Sequence, residues 1–435
     1  MKRAVISSSI GNAFEWYDFA LYAYFATVIG PKFFPYDITL SPEQNDLYTL
    51  RLTFAVFALG YFMRSLGALV FGHIGDKIGR KSALVLTIFL MTIPTTLFGL
   101  LPTYDQIGWS ATLLMILIRI LQGMSIGGNF GGSLTFMIEF ADTGRRGLIG
   151  SIAVASCIGG ILLGSFVAML MEYILTPDQL NEWGWRIPFF LGLLVGLVGL
   201  YIRMGVSESP RFLAEQAARQ ARLESHGKVI SRTPAPLKTL FFKGYKTLII
   251  ATFILLLNDV GFYSLFTYLV NYMKISLKIS GADALSINTL SLVVMLLWIP
   301  VFGWLSDKLG RKKVMMSSAL CFILFSYPLF MIFNLATFGS CLLSIIILGI
   351  ILAAYFGPLP ALMVEFFPTR TRYSGISIAL NASAVLFGGT APLILSTLQD
   401  YTTSQFIVAF YLIGGACISL VFLAISKERY NLPLR

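Results

Sequence analysis

Five ionisable side chains stand inside stretches that are otherwise apolar: Glu15, Asp18, Arg64, Arg119 and Asp259. A charge at the centre of a bilayer costs at least ~2.5–3.5 kcal/mol, so such a residue is rarely idle. Glu15 and Asp18 are three residues apart, on one helix face that Tyr22 extends. A carboxyl group between an arginine and an apolar wall can exchange a proton, because the two neighbours push its ionisation in opposite directions. Asp18 and Glu15 are therefore the candidates for a proton. Arg64 and Arg119 are candidate counter-ions, or ligands for the carboxylate of a small solute. Asp259, with Asn258 beside it and Tyr263 one turn on, suits the cationic end of a zwitterion, since aromatic rings attract a quaternary ammonium. The plainer readings are a static ion-pair network between helices and, for Asp259, a packed helix face.

These residues need an apolar solvent around their helices, and the composition supplies the argument. The chain has 435 residues, 57% hydrophobic and 12% charged, with a mean hydropathy of +0.79. A soluble domain carries about a quarter charged residues. Apolar runs of the length a spanning helix needs recur along the chain. They predict helices at about 9–30, 50–74, 82–102, 111–139, 147–174 and 185–204, and again at about 246–273, 283–305, 313–334, 338–364, 373–398 and 404–426. The fold class is all-α and membrane-embedded. Residues 1–204 and 246–435 form the two halves, with a basic, amphipathic linker at 205–245. The basic N-terminus runs into Glu15 and Asp18 rather than an uncharged core, which predicts an uncleaved first helix.

The net charge of +11 does not point to nucleic acid, because the basic residues sit between apolar runs and form no basic face. Lys77, Arg80, Lys81, Arg145, Arg146, Lys308, Arg311, Lys312 and the linker fall on one side; Lys32, Arg186, Lys274 and Lys278 fall on the other, with Arg51 at its edge. The positive-inside rule makes the first side, the linker and both termini cytoplasmic. Cys157, Cys321, Cys341 and Cys417 lie in apolar runs with no metal-binding spacing. No phosphate-binding loop is present, and His73 and His226 form no catalytic constellation, so neither an ATP-driven pump nor an enzyme is expected. No cofactor or metal is expected either.

The halves repeat one loop: GHIGDKIGRK at 72–81 returns as GWLSDKLGRK at 303–312. Its acids, Asp76 and Asp307, can cap a neighbouring helix or pair with Arg80 and Arg311. EFADTGRRG at 139–147 has a weaker echo in EFFPTRTRYSG at 365–375, so Glu139 with Arg145 and Glu365 with Arg372 are read as gate charges. Parallel repeats of this kind place a solute site between the halves near the midplane. Gly123, Gly127 and Gly131, at four-residue spacing, predict close packing of another helix.

The twin loops resemble the signature of the major facilitator superfamily. RILQG at 119–123 and SESPRFL at 207–213 agree with it, and GNAFEWYDF at 11–19 narrows the resemblance to the metabolite:proton symporters, closest to the proline/betaine branch. RSLGALVFGHIGDKIGRK, LPTYDQIGW and WGWRIPFFLGLLVGLVGLY extend the likeness over essentially the whole chain. The resemblance implies 12 spans in two six-helix bundles and alternating access, in a monomer in a bacterial inner membrane. It also implies proton-coupled import of a small metabolite such as proline or glycine betaine. An organic-acid symporter and a proton-independent exchanger or uniporter on the same fold are the alternatives. Relatives commonly carry G-G-E where Gly127, Gly128 and Asn129 stand, which leaves the coupling stoichiometry open. No heptad segment follows the last run, so coiled-coil osmosensing is not expected.

Overall fold

A computed structural model describes residues 2–37, 39–77, 80–127, 134, 138, 143–204, 244–402, 404–430 and 432. Among them every regular element is helical. In chain order the α-helices of seven or more residues are α1 (Lys2–Tyr24), α2 (Ala26–Phe33), α3 (Pro42–Lys77), α4 (Arg80–Leu100), α5 (Trp109–Ile126), α6 (Arg146–Ile174) and α7 (Ile187–Met204). After the linker come α8 (Tyr245–Tyr263), α9 (Leu269–Ile275), α10 (Gly281–Leu309), α11 (Arg311–Phe333), α12 (Phe338–Phe356), α13 (Leu359–Phe366), α14 (Thr369–Ser383), α15 (Ala391–Tyr401) and α16 (Ile407–Ile425). Residues 205–243 of the linker lie outside the described residues, as do the side chains of Asp76, Arg80 and Glu139.

Eight helical stretches among the described residues are long and apolar enough to cross a bilayer, and Val85–Leu100 and Gly184–Val198 are shorter apolar helices. Large apolar side chains face outward along them, among them Leu113, Leu194, Leu297, Leu324 and Val421. Soluble monomers rarely expose so much apolar surface, and these side chains fit contact with lipid.

Four runs expected to be continuous are interrupted, the first at Phe25 between α1 and α2. Gly357 and Pro358 separate α12 from α13, where proline removes a backbone donor. Ser264–Tyr268 joins α8 to α9 through one π turn, and Ala384–Gly388 follows α14 as another. Single π turns inside α-helices gather at functional sites.

Glycines set where helices cross. A Cβ on Gly127 would overlap the backbone carbonyl of Arg64, and one on Gly123 would overlap that of Gly60. So α5 lies directly on α3, and the arginines of both helices are held by backbone-to-backbone contact. The most extensive packing joins α6 to α10, one helix from each side of the linker. Gly147 and Gly303 face each other there, and a side chain on Gly147 would meet the Gly303 carbonyl. In the second copy of the repeated loop, Gly310 has φ +101°, a conformation suited to glycine, and this turn delivers Arg311 to the start of α11.

Candidate functional site

A cavity of about 80 Å³ lies between the parts of the chain before and after the linker. Trp16 of α1 and Arg64 of α3 line one side, and Asn258, Asp259, Phe262 and Tyr263 of α8 line the other. The Arg64 guanidinium stands 5.6 Å from the centre of the Trp16 ring, within cation–π range, and its Nε has no hydrogen-bond partner among the described residues. One Asp259 oxygen accepts from Asn258 Nδ2 at 3.1 Å and the other from the Ser383 hydroxyl. No ion pair joins Arg64 to Asp259 among the described residues. The site thus presents a cation and an anion separately, across one small chamber with aromatic walls. The Tyr263 hydroxyl meets the Tyr61 hydroxyl, and Tyr61, Phe57 and Phe19 continue the aromatic wall away from the cavity.

Asp18, Arg119 and Tyr22 are not among the residues lining this cavity. They form a second, fully buried network between α1, α4 and α5. Arg119 stacks 3.9 Å above the Tyr22 ring and 4.9 Å from Phe19. The Tyr22 hydroxyl donates to the Thr53 carbonyl at 3.1 Å. Gln122 stands between Arg119 and Asp18 and touches both, and Thr95 completes the group. Glu15 is also buried, but it lies close enough to influence Cys157, a cavity-lining residue, so the two carboxyls of one helix face have different neighbours.

The gate charges gather at the end of the molecule that carries the repeated loop. Arg311 donates to Asp307 at 2.6 Å and to Glu365 at 3.3 Å, and Arg146 lies 3.7 Å from the same Glu365 oxygen. Asp307 also accepts from the backbone N–H groups of Gly147 at 2.8 Å and Leu148 at 2.9 Å, in the first turn of α6. A carboxylate is favoured there by the helix dipole and the unpaired amides. This cluster ties the two parts together. Glu365 pairs with Arg311 and Arg146 rather than with Arg372, whose Nε donates to the carbonyls of Val364 at 3.0 Å and Phe367 at 3.1 Å. Arg146, which begins the helix, reaches Glu365, while its neighbour Arg145 closes a short 3₁₀ turn and is exposed; the expected partner of Arg145, Glu139, lies outside the described residues. The chain after α16 crosses the same end: Glu428 accepts from the Lys312 N–H at 3.0 Å, Tyr430 donates to the Lys308 carbonyl at 3.0 Å, and Arg146 donates to the Leu432 carbonyl at 2.9 Å.

The opposite end is tied as well. Arg51 pairs with Asp400 at 2.7 Å, Lys274 with Glu172 at 2.7 Å and Lys278 with Glu43 at 3.3 Å. Deeper down, Ser165 meets Thr289 at 2.8 Å and accepts from Asn288 at 2.8 Å. The cavity is therefore held between two sets of contacts.

Sequence reasoning missed Trp16, Gln122, Thr95, Arg146 and Ser383. Arg146 was marked by its charge, and Trp16 and Gln122 by their place in GNAFEWYDF and RILQG, but none of these signals assigned a role; Thr95 and Ser383 are neutral types common in membrane helices.

The family model described as sugar (and other) transporter matches residues 4–430. A putative proline/betaine transporter of Staphylococcus aureus (strain COL) is 36% identical over 437 residues, covering 99% of this chain and 90% of the relative. The proline/betaine transporter of Escherichia coli (strain K12) is 32% identical over 440 residues, covering 100% of this chain and 85% of the relative. Among solved structures, the proton:xylose symporter XylE bound to 6-bromo-6-deoxy-D-glucose aligns with a TM-score of 0.77 at 19% identity, covering 99% of this chain and 97% of that one. At that identity the likeness speaks for the fold. Apolar helices, a cavity between two parts and matches along the full length agree: the chain is a multi-pass membrane protein of the sugar (and other) transporter family, within the major facilitator superfamily, and a transporter rather than an enzyme.

Proposed function

We propose that this transporter imports a small zwitterion of the proline or glycine betaine kind together with protons. One observation carries the reading: Arg64 and Asp259 line the same small cavity, unpaired with each other, with Trp16, Phe262 and Tyr263 around them. An arginine takes a carboxylate, an aspartate takes an ammonium, and the rings accept methyl groups on a cationic nitrogen. The names of the S. aureus and E. coli relatives agree. A di- or tricarboxylate fits less well. Arg64 is the one arginine among the described lining residues, and Asp259 would repel a second carboxylate.

The proton is assigned to Asp18 or Glu15. The architecture we infer has 12 spans in two six-helix bundles, residues 1–204 and 246–435, joined by a linker at 205–245. Both termini face the cytoplasm of a bacterial inner membrane, and the monomer works by alternating access. Asp307, Arg311 and Glu365, together with Arg146, form the cytoplasmic gate.

The test is uptake by purified protein in proteoliposomes. Labelled proline and glycine betaine should accumulate under an inward pH gradient, and Asp259→Asn should weaken their apparent affinity at least tenfold, about 1.4 kcal/mol. Accumulation of citrate or α-ketoglutarate instead would exclude the zwitterion. Transport that survives collapse of the gradient and accelerates with substrate loaded inside would favour the exchanger.

A further inference from the structure

Gln122 is 1% exposed and lies between two groups of opposite hydrogen-bonding kind. A carboxylate only accepts and a guanidinium only donates. A carboxamide is neutral, accepts at one end and donates at the other, so its orientation here is dictated by its neighbours. Arg119 donates to Gln122 Oε1 at 2.9 Å. Gln122 Nε2 donates to Asp18 Oδ2 at 2.9 Å and to Thr95 Oγ1 at 3.0 Å. The Thr95 hydroxyl spends its own proton on the Met91 carbonyl at 2.8 Å, which leaves its lone pairs for the amide. Every polar atom of Gln122 is therefore in use.

The consequence is separation. Among the described residues Asp18 and Arg119 form no ion pair, and Asp18 Oδ1, Arg119 Nε and Arg119 Nη2 have no hydrogen-bond partner. The arginine's charge rests on the faces of Tyr22 and Phe19 instead. We propose that Gln122 is a positioning residue: it holds Asp18 and Arg119 one carboxamide apart, and that spacing sets the pH range of proton-coupled uptake. Direct contact would lock the carboxylate in its charged form; separation leaves Oδ1 open to a proton. The groups facing this pair are Thr95 of α4, Tyr61 of α3 beside Arg119, and Tyr17 and Tyr22 of α1, none of them a second strong charge. The inference rests on the assignment of the coupling proton to Asp18.

The experiment compares the pH dependence of proline uptake in proteoliposomes for wild type, Gln122→Leu, Gln122→Glu and Asp18→Asn. Gln122→Leu frees Arg119 to reach Asp18, and half-maximal uptake should move to acid by about one pH unit, tenfold in proton concentration. Gln122→Glu sets a second carboxylate against Asp18 and should move it the other way. A parallel readout independent of turnover is the infrared carbonyl band of a protonated carboxyl, identified by its absence in Asp18→Asn and followed through a pH titration of the detergent-solubilised protein. Its midpoint should shift in the same two directions. A purely structural role predicts lower yield or maximal rate with both midpoints unmoved, which overturns the proposal. If Asp18→Asn keeps wild-type proton dependence, the assignment beneath it fails as well; if only the Gln122 variants leave the profile in place, Asp18 stands and the spacing role falls.

Discussion

The two ends of the molecule are closed by different means. At the loop end, Arg146, Asp307, Arg311 and Glu365 are buried, with side chains no more than 5% exposed. At the opposite end, the Arg51–Asp400 pair is 28% and 34% exposed, and Lys278–Glu43 is 67% and 81% exposed. Exposed pairs contribute ~0–1 kcal/mol and are screened by salt. Breaking a buried pair costs ~3–5 kcal/mol, because a desolvated charge is left without a partner. The loop end therefore opens only when a cooperative network parts together, whereas the opposite end rests on separate pairs, of which Lys274–Glu172 alone is largely buried. The ion pairs alone make the opposite end the easier one to open.

The largest effect should come from Glu365→Ala, which takes from buried Arg146 its carboxylate partner and leaves Arg311 with Asp307 alone. We expect a destabilisation of ~3–5 kcal/mol, read as a fall in melting temperature, with transport lost. A melting point unchanged from wild type would show that the burial carries no energetic weight. Next is Gly147→Val, which sets a side chain against the Gly303 carbonyl where α6 meets α10. Overpacking costs ~1–3 kcal/mol. With Cys157 as the sole cysteine, a maleimide applied from the loop side should then reach the cavity severalfold faster. Equal rates from both sides before and after would contradict a seal at that crossing.

Smaller still is Arg51→Ala. The loss of ~0–1 kcal/mol should raise Cys157 labelling from the opposite side by no more than about fivefold. A tenfold or larger rise, about 1.4 kcal/mol or more, would mean that this end is held by more than exposed pairs contribute. Least of all is Glu43→Gln, expected to change labelling within error. High salt should mimic Arg51→Ala and leave the loop-end rate unaltered.

Much of this architecture was legible beforehand. Apolar runs locate helices because a bilayer demands a length, and the repeated loop announced Asp307 and Arg311. Glu365 was visible as an acid at a helix end. Its partners were not: the sequence paired it with Arg372, seven residues on, whereas the packing of α6 and α11 against α13 brings Arg146 and Arg311 to it. The spacing of Glu15, Asp18 and Tyr22 put them on one face, but helix packing alone decides which of them meets the cavity. Arg119 was grouped with Arg64 as a charge in an apolar run, and only the close crossing of α3 and α5 sends one to the chamber and the other behind Tyr22. Gln122 stood in the RILQG motif, which gave it no role, and Ser383 had no signal, because neutral polar residues are cheap enough in membranes to be common.

The π turn at Ser264–Tyr268 has a genetic consequence. It accommodates an extra residue within a helix, so everything beyond it is out of phase with what precedes it by about 100°, one residue's rotation. Deleting one residue there would restore a regular helix while turning Tyr268, which ends the turn, from Gln399 and Lys274, beyond it, from Glu172. The composition would hardly change. The rotational register between the chamber residues Asp259 and Tyr263 and the closing contacts near the membrane face would be lost, so the protein should be less tolerant of a missing residue at this turn than of most replaced ones.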